Sequence, residues 1–195
     1  ALSSNISIYA AHTNLDVASG GVNDALAEKL GLTDTRVLRV CGQQKYEKIV
    51  VYVPRGYEDN VRHAMTAAGA GQIGNYSHCT FQAEGTGTFM PQEGTTPFSG
   101  EQGKLEFADE FRLETIVPEA LRKRVVSAMQ KAHPYEEVAY DVFPLLNAGE
   151  PYGLGRVGKI AEPNTLEQFI SKVKSELVVD AVRVSGDPGR NIKKV

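Results

Sequence analysis

His12 and Asp16 stand four residues apart within residues 6–32, ISIYAAHTNLDVASGGVNDALAEKLGL. An imidazole and a carboxylate at that spacing on a loop can be two metal ligands or an acid/base pair. The same residues have an ordinary reading. Asp after Asn-Leu makes an Asx-type turn with its own backbone, and a His at a strand end is a satisfied polar residue. A second group, His133, Glu136, Glu137 and Asp141, gathers around a helix end. It can hold a metal, or His133 can sit there because its cation suits the helix dipole while the acids stay solvated. His78 and Cys79 can be ligands, or a nucleophile with its base. As neighbours in an alternating stretch they point to opposite faces, which argues against one shared site. Gly153, Gly155 and Gly158 spell GxGxxG, but Pro163 stops a helix from running on, so the dinucleotide fingerprint is incomplete. Residues 17–21 offer backbone N–H groups to a phosphate or carboxylate, or Ser19 or Gly21 merely caps a helix.

These residues need elements to position them. Ile6 and Ile8 alternate as in a strand that ends at the small residues Ala10 and Ala11. Gly20 and Gly21 break the chain. Val22, Ala25, Leu26 and Leu30 then recur at helical spacing before a Gly31 stop. The unit reads strand, loop, helix, and in open α/β sheets such a loop borders the ligand crevice. Residues 33–41 read as a polar turn and a short apolar run. Residues 42–45 look like a crossing between domains. A strand at 48–53, a helix at 57–68, a strand-like stretch at 76–89, a strand at 104–117, a helix at 119–132 and a strand at 138–146 follow. That β-α-β-β-α-β order is the split βαβ, or ferredoxin-like, pattern. Residues 153–160 return as a strand, Thr165 caps a helix, and 178–184 predict a further strand.

Composition is that of an ordinary soluble globular protein: 195 residues, 42% hydrophobic, 23% charged, net charge −3. There is enough chain for one or two domains with a core. The slightly acidic balance makes nucleic acid an improbable partner. No apolar run approaches the ~20 residues of a membrane span, and no signal peptide is visible. Cys41 and Cys79 lie in unrelated contexts, which indicates neither a disulfide framework nor a zinc ribbon and points to a reducing cytoplasm. The chain starts at Ala1 and stops just as a strand begins at Ile192, so it reads as a piece of a longer protein.

AAHTNLD followed by GGVNDALAEKLGL resembles the dinuclear metal-binding family of GTP cyclohydrolase I type 2 homologues, the YqfO-like, YbgI-like and Ngg-interacting-factor-three-like proteins. The helix at 119–132 followed by HPYEEVAYDVFPL resembles CutA and PII-like modules. The resemblance implies an α/β fold with an α+β insert. An α/β scaffold (1–45) is interrupted by a ferredoxin-like insertion domain (46–147) and resumes, incomplete, at 148–195. It implies that Asp16 and His12 are metal ligands and that the intact protein takes two divalent metal ions, with zinc, iron and manganese undistinguished. The family's other ligands are an upstream His-His pair and a His and Glu near the C-terminus; these residues hold no His-His pair and no His after His133, so no well-ordered pair of metals is expected here. The implied activity is that of a metal-dependent hydrolase, GTP cyclohydrolase-like, with a nucleotide or other small molecule as partner. The alternative is a non-enzymatic regulatory or metal-handling protein working through its insert. The implied assembly is a homo-oligomer, a hexamer with its inserts grouped in threes.

Overall fold

A computed structural model of the chain describes residues 2–195, apart from the side chains of residues 2 and 161–163. In chain order its elements are α1 (Asn14–Val17), α2 (Val22–Lys29), β1 (Leu32–Gln43), β2 (Tyr46–Pro54), α3 (Glu58–Ala67), β3 (Thr80–Phe89), β4 (Glu106–Pro118), α4 (Arg122–Ala132), β5 (Tyr140–Leu145), β6 (Pro151–Thr165), α5 (Leu166–Leu177) and β7 (Asn191–Lys194). The chain divides into two compact units, Ala1–Gln43 with Glu150–Val195, and Gln44–Gly149. The protein is a mixed α/β chain with one antiparallel sheet in each unit.

The Gln44–Gly149 unit has strand order β3-β4-β2-β5. The two helices follow from the sequence pattern. Val61 and Met65 on α3, and Val125 and Met129 on α4, recur at helical spacing and are fully buried. They meet Ile49, Val51 and Val53 of β2 and Leu113 and Val117 of β4. The strand residues alternate, so this set covers one face of the sheet. Each such side chain contributes roughly 1.5–3 kcal/mol by leaving water. Acidic Glu58 and Asp59 lie in the first turn of α3, where the helix dipole favours them. The opposite face is polar at its centre: Lys48 Nζ lies 2.7 Å from Glu114 Oε1, and Arg112 Nη1 lies 2.9 Å from Glu114 Oε2.

The other unit has strand order β1-β6-β7. Its buried apolar residues are Ala27, Leu30 and Phe169, a much smaller set. Local signals are strong at α5. Thr165 Oγ1 accepts from Gln168 N, and Gln168 Oε1 accepts from Thr165 N, a reciprocal capping box.

Three expectations about elements are corrected. Residues 6–11 form no strand, although they alternate as one. A strand needs a neighbour to take its backbone hydrogen bonds, and among the described residues none runs beside them. Ile8 and Tyr9 are accordingly 80% and 85% exposed. Residues 178–184 are not a strand for the same reason; Val178 instead ends α5 in the left-handed conformation (φ 54°), and β7 forms further on. Residues 33–41 are not a turn and a short run but part of the continuous strand β1. β6 supplies the ladder, and the polar residues Thr33–Arg36 become an irregularity in register, with Asp34 at φ 48°.

Candidate functional site

The His12–Asp16 stretch is built around α1, a single turn between Thr13 and Ala18. Its backbone is pinned repeatedly. Asp16 N donates to Thr13 O (3.2 Å), Ala18 N to Asn14 O (3.1 Å), and Asn23 Nδ2 from α2 to Asp16 O (2.7 Å). Gly21 is needed here because a Cβ at that position would lie 2.1 Å from Leu15 O, so any side chain would push α1 away from α2. Asp16 is half-buried and His12 exposed. Among the described residues neither the Asp16 carboxylate nor the His12 ring has a hydrogen-bond partner. A carboxylate oxygen and an imidazole nitrogen are donor types that suit a divalent transition metal. They do not sit at the end of a strand, since residues 6–11 are not one. Among the described residues no three His, Cys, Asp or Glu side chains gather as a metal would need.

The loop before the neighbouring helix already receives a carboxylate of the protein's own. Gly21, not Ser19, is the N-cap of α2. Gly20 N donates to Asp24 Oδ2 (2.7 Å), so the carboxylate this terminus receives is its own. Arg156 of β6 grips the same carboxylate through two nitrogens, Nε to Oδ1 and Nη2 to Oδ2 (2.7 Å). Its remaining donors reach Gly153 O (3.1 Å), Gly155 O (2.9 Å) and Ala18 O (3.4 Å). The Arg156 guanidinium holds Asp24 below the usual carboxylate range. This is the role of Arg156 in GLGRVG: the glycines lie inside β6, which runs on to Thr165, so none of them opens a helix.

His133 is a correction in kind. It is buried at the C-terminus of α4, with Nε2 donating to Tyr52 O (2.9 Å) and Nδ1 accepting from Tyr135 N (3.1 Å). Both nitrogens are spent, so it is neither a metal ligand nor a cation on the helix dipole. Burial holds its pKa below the ordinary value, against the raising effects of Tyr52 O and Glu110. His78 and Cys79 are also displaced from their expected strand. His78 takes a left-handed turn (φ 61°) with Nδ1 3.0 Å from Ser77 Oγ. The Cys79 backbone bonds Gly71 O and the Thr115 hydroxyl.

Of the acids grouped with His133, Glu136 and Glu137 border a cleft that sequence reasoning missed, of about 460 Å³, whereas Asp141 lies in β5 opposite Val50. Tyr135 Oη donates to Glu110 Oε1 (3.0 Å), and both burial and that carboxylate push the Tyr135 phenol upward. Thr96 N donates to Glu136 Oε1 (2.9 Å). Phe98 lies 5.5 Å from the Tyr135 ring and edge-on to Tyr57 at 5.7 Å. The signal was present in the sequence as HPYEE and a loop rich in Pro, Gly and Thr, but their meeting depends on the strand order.

A ferredoxin-like unit set between the two halves of a second α/β unit, with the His12–Asp16 turn in the latter, defines the class of this protein. The chain belongs to the Duf34/NIF3 (NGG1p interacting factor 3) family, whose sequence profile matches residues 1–195. It is 53% identical over 195 residues to a protein of Halalkalibacterium halodurans called GTP cyclohydrolase 1 type 2 homolog, covering 100% of this chain and 52% of that one. It is 52% identical over 194 residues to a Bacillus subtilis protein of the same name, again over 100% of this chain and 52% of that one. The crystal structure of a Bacillus cereus protein related to NIF3 superposes with a TM-score of 0.87 at 53% identity, over 99% of this chain and 51% of that one. The chain therefore spans about half the length of the curated relatives it matches. Among the described residues no helix is long and apolar enough to cross a membrane.

Proposed function

We propose that the intact protein is a divalent-metal-binding hydrolase, GTP cyclohydrolase-like, with Asp16 and His12 as two of its ligands and the others supplied from outside these 195 residues. The observation that carries this reading is the Asp16 turn, with its backbone fixed from both sides and its carboxylate left without a partner among the described residues. A bound divalent metal supplies Lewis acidity and lowers the pKa of water at neutral pH. Asp16 would contribute charge and His12 a neutral nitrogen, and the hydrogen bonds of α1 would hold both in register. The relatives' name, GTP cyclohydrolase 1 type 2 homolog, supports a nucleotide or related small molecule as substrate.

Assembly as a homo-oligomer, in the form of a hexamer with inserts in threes, is the expectation carried over from the family resemblance, and the edges of the β3-β4-β2-β5 sheet are compatible with contacts between copies. Phe81 on edge strand β3 and Phe143 on edge strand β5 are 63% and 49% exposed there. A cytoplasmic location fits two free cysteines. The second reading, a regulatory or metal-handling oligomer acting through its insert, is favoured by the cleft beside Tyr135.

The test is elemental analysis of the intact protein and of Asp16→Asn, which keeps the shape and removes the charge. Metal content well below wild type is expected, with hydrolysis of nucleotides in a substrate screen falling in parallel. Unchanged stoichiometry would make Asp16 a turn residue only.

A further inference from the structure

The cleft in the Gln44–Gly149 unit has a definite chemical character. Its bordering side chains include three carboxylates, Glu110, Glu136 and Glu137, and no Lys, Arg or His. Its walls are otherwise largely apolar, with Phe89, Met90 and Phe98 among them. A volume of about 460 Å³ falls within the range of small-molecule sites.

The cleft is built rather than left over. Gly87 admits the Glu110 carboxylate: a Cβ there would lie 2.1 Å from Glu110 Oε2. Tyr135 Oη holds the other oxygen of that carboxylate, which leaves Oε2 without a hydrogen-bond partner among the described residues. Behind Tyr135, His133 is locked to Tyr52 O and to Tyr135 N, which fixes the ring in place. The opposite wall is a loop closed on itself by Gly103 N to Pro91 O (2.9 Å) and Thr95 N to Gln92 O (3.3 Å). It is tied across to Glu136 by Thr96 N, and Phe98 is set against Tyr57 and Tyr135.

Aromatic faces beside unneutralised carboxylates attract positive charge on an apolar body. An anion would meet three like charges and no donor cation. We propose that this cleft is a binding site for a small organic cation, an amine or quaternary ammonium carried on an apolar group. The charge would face Glu110 and Glu137, and the apolar group would lie against Phe98 and Tyr135. The site is independent of the metal reading, because it uses none of the residues of the His12–Asp16 turn.

The test is calorimetric titration of the intact protein with benzyltrimethylammonium, using benzoate as the anion of similar shape. Saturable binding of the cation is expected, with benzoate at least about tenfold weaker. Glu110→Gln combined with Glu137→Gln should weaken the cation by roughly tenfold or more while the melting curve is retained. Phe98→Ala should weaken it as well. Asp16→Asn, which alters the metal site, should leave cation binding as in wild type. Equal binding of benzoate, no saturable binding, or indifference to both sets of cleft substitutions would each overturn the proposal. So would binding seen only on dilution of the oligomer, since a neighbouring copy would then be the natural occupant.

Discussion

Arg156 and Asp24 join β6 to the start of α2 through a two-pronged ion pair, and the Asp24 carboxylate also accepts from Gly20 N. The Arg156 side chain is 6% exposed and that of Asp24 32%. One interaction therefore sets the helix, the glycine turn before it and the strand it packs on.

Asp24→Asn keeps the shape but leaves a buried guanidinium without its counter-charge. A loss of about 1–3 kcal/mol is expected, below the fully buried case because Asp24 is partly solvated. Asp24 is depressed in the folded state, so the pair stabilises fully above the ordinary carboxylate range and is lost as pH falls through the lowered value. Urea unfolding at neutral and acid pH measures both. The variant should show a smaller acid loss than wild type, and equal stability at neutral pH would refute the role.

His133 gives a second pH dependence, near neutrality. Its folded pKa lies below the unfolded one, so the unfolded chain takes up the proton first. The stability of the Gln44–Gly149 unit is complete above the ordinary histidine value, about 6.5, and declines as pH falls below it. Melting temperatures from about pH 8 to about pH 5 should drop in wild type and flatten in His133→Gln. A parallel drop in the variant would assign the effect elsewhere.

Leu113 on β4 has no exposure and packs in one core cluster with β2, α3 and α4 of the Gln44–Gly149 unit. Leu113→Ala should cost roughly 2–5 kcal/mol, a transfer loss plus a cavity. Denaturant unfolding of the two variants Leu113→Ala and Leu113→Met would separate the terms, since Met conserves volume and should cost under about 1.5 kcal/mol.

Thr165 caps α5 reciprocally with Gln168. Thr165→Ala removes one side of the box and should cost about 1 kcal/mol, and Thr165→Ser should restore most of it. Hydrogen exchange at the first turn of α5 would report the fraying; protection equal to wild type would show that packing by Phe169 suffices.

The sequence by itself determined what depends on neighbours along the chain. Val61/Met65 and Val125/Met129 recur at helical spacing, Thr165-x-x-Gln168 spells a cap, a continuous apolar run marks β2 and alternation at Phe111/Leu113 marks β4, so the β-α-β-β-α-β order was legible. The residue types of the His12–Asp16 turn were legible too. Tertiary structure decided whatever needs a partner distant in sequence. Residues 6–11 and 178–184 have strand composition, yet without an adjacent strand their backbone groups find no ladder, while polar residues 33–36 enter β1 because β6 lies beside them. His133 changed from a candidate ligand to a locked neutral ring because β2 presents Tyr52 O to it. Glu110 and Tyr135 meet only because β4 runs beside β3 and β2 in that order, and spacing along a chain carries no record of which strands will be neighbours.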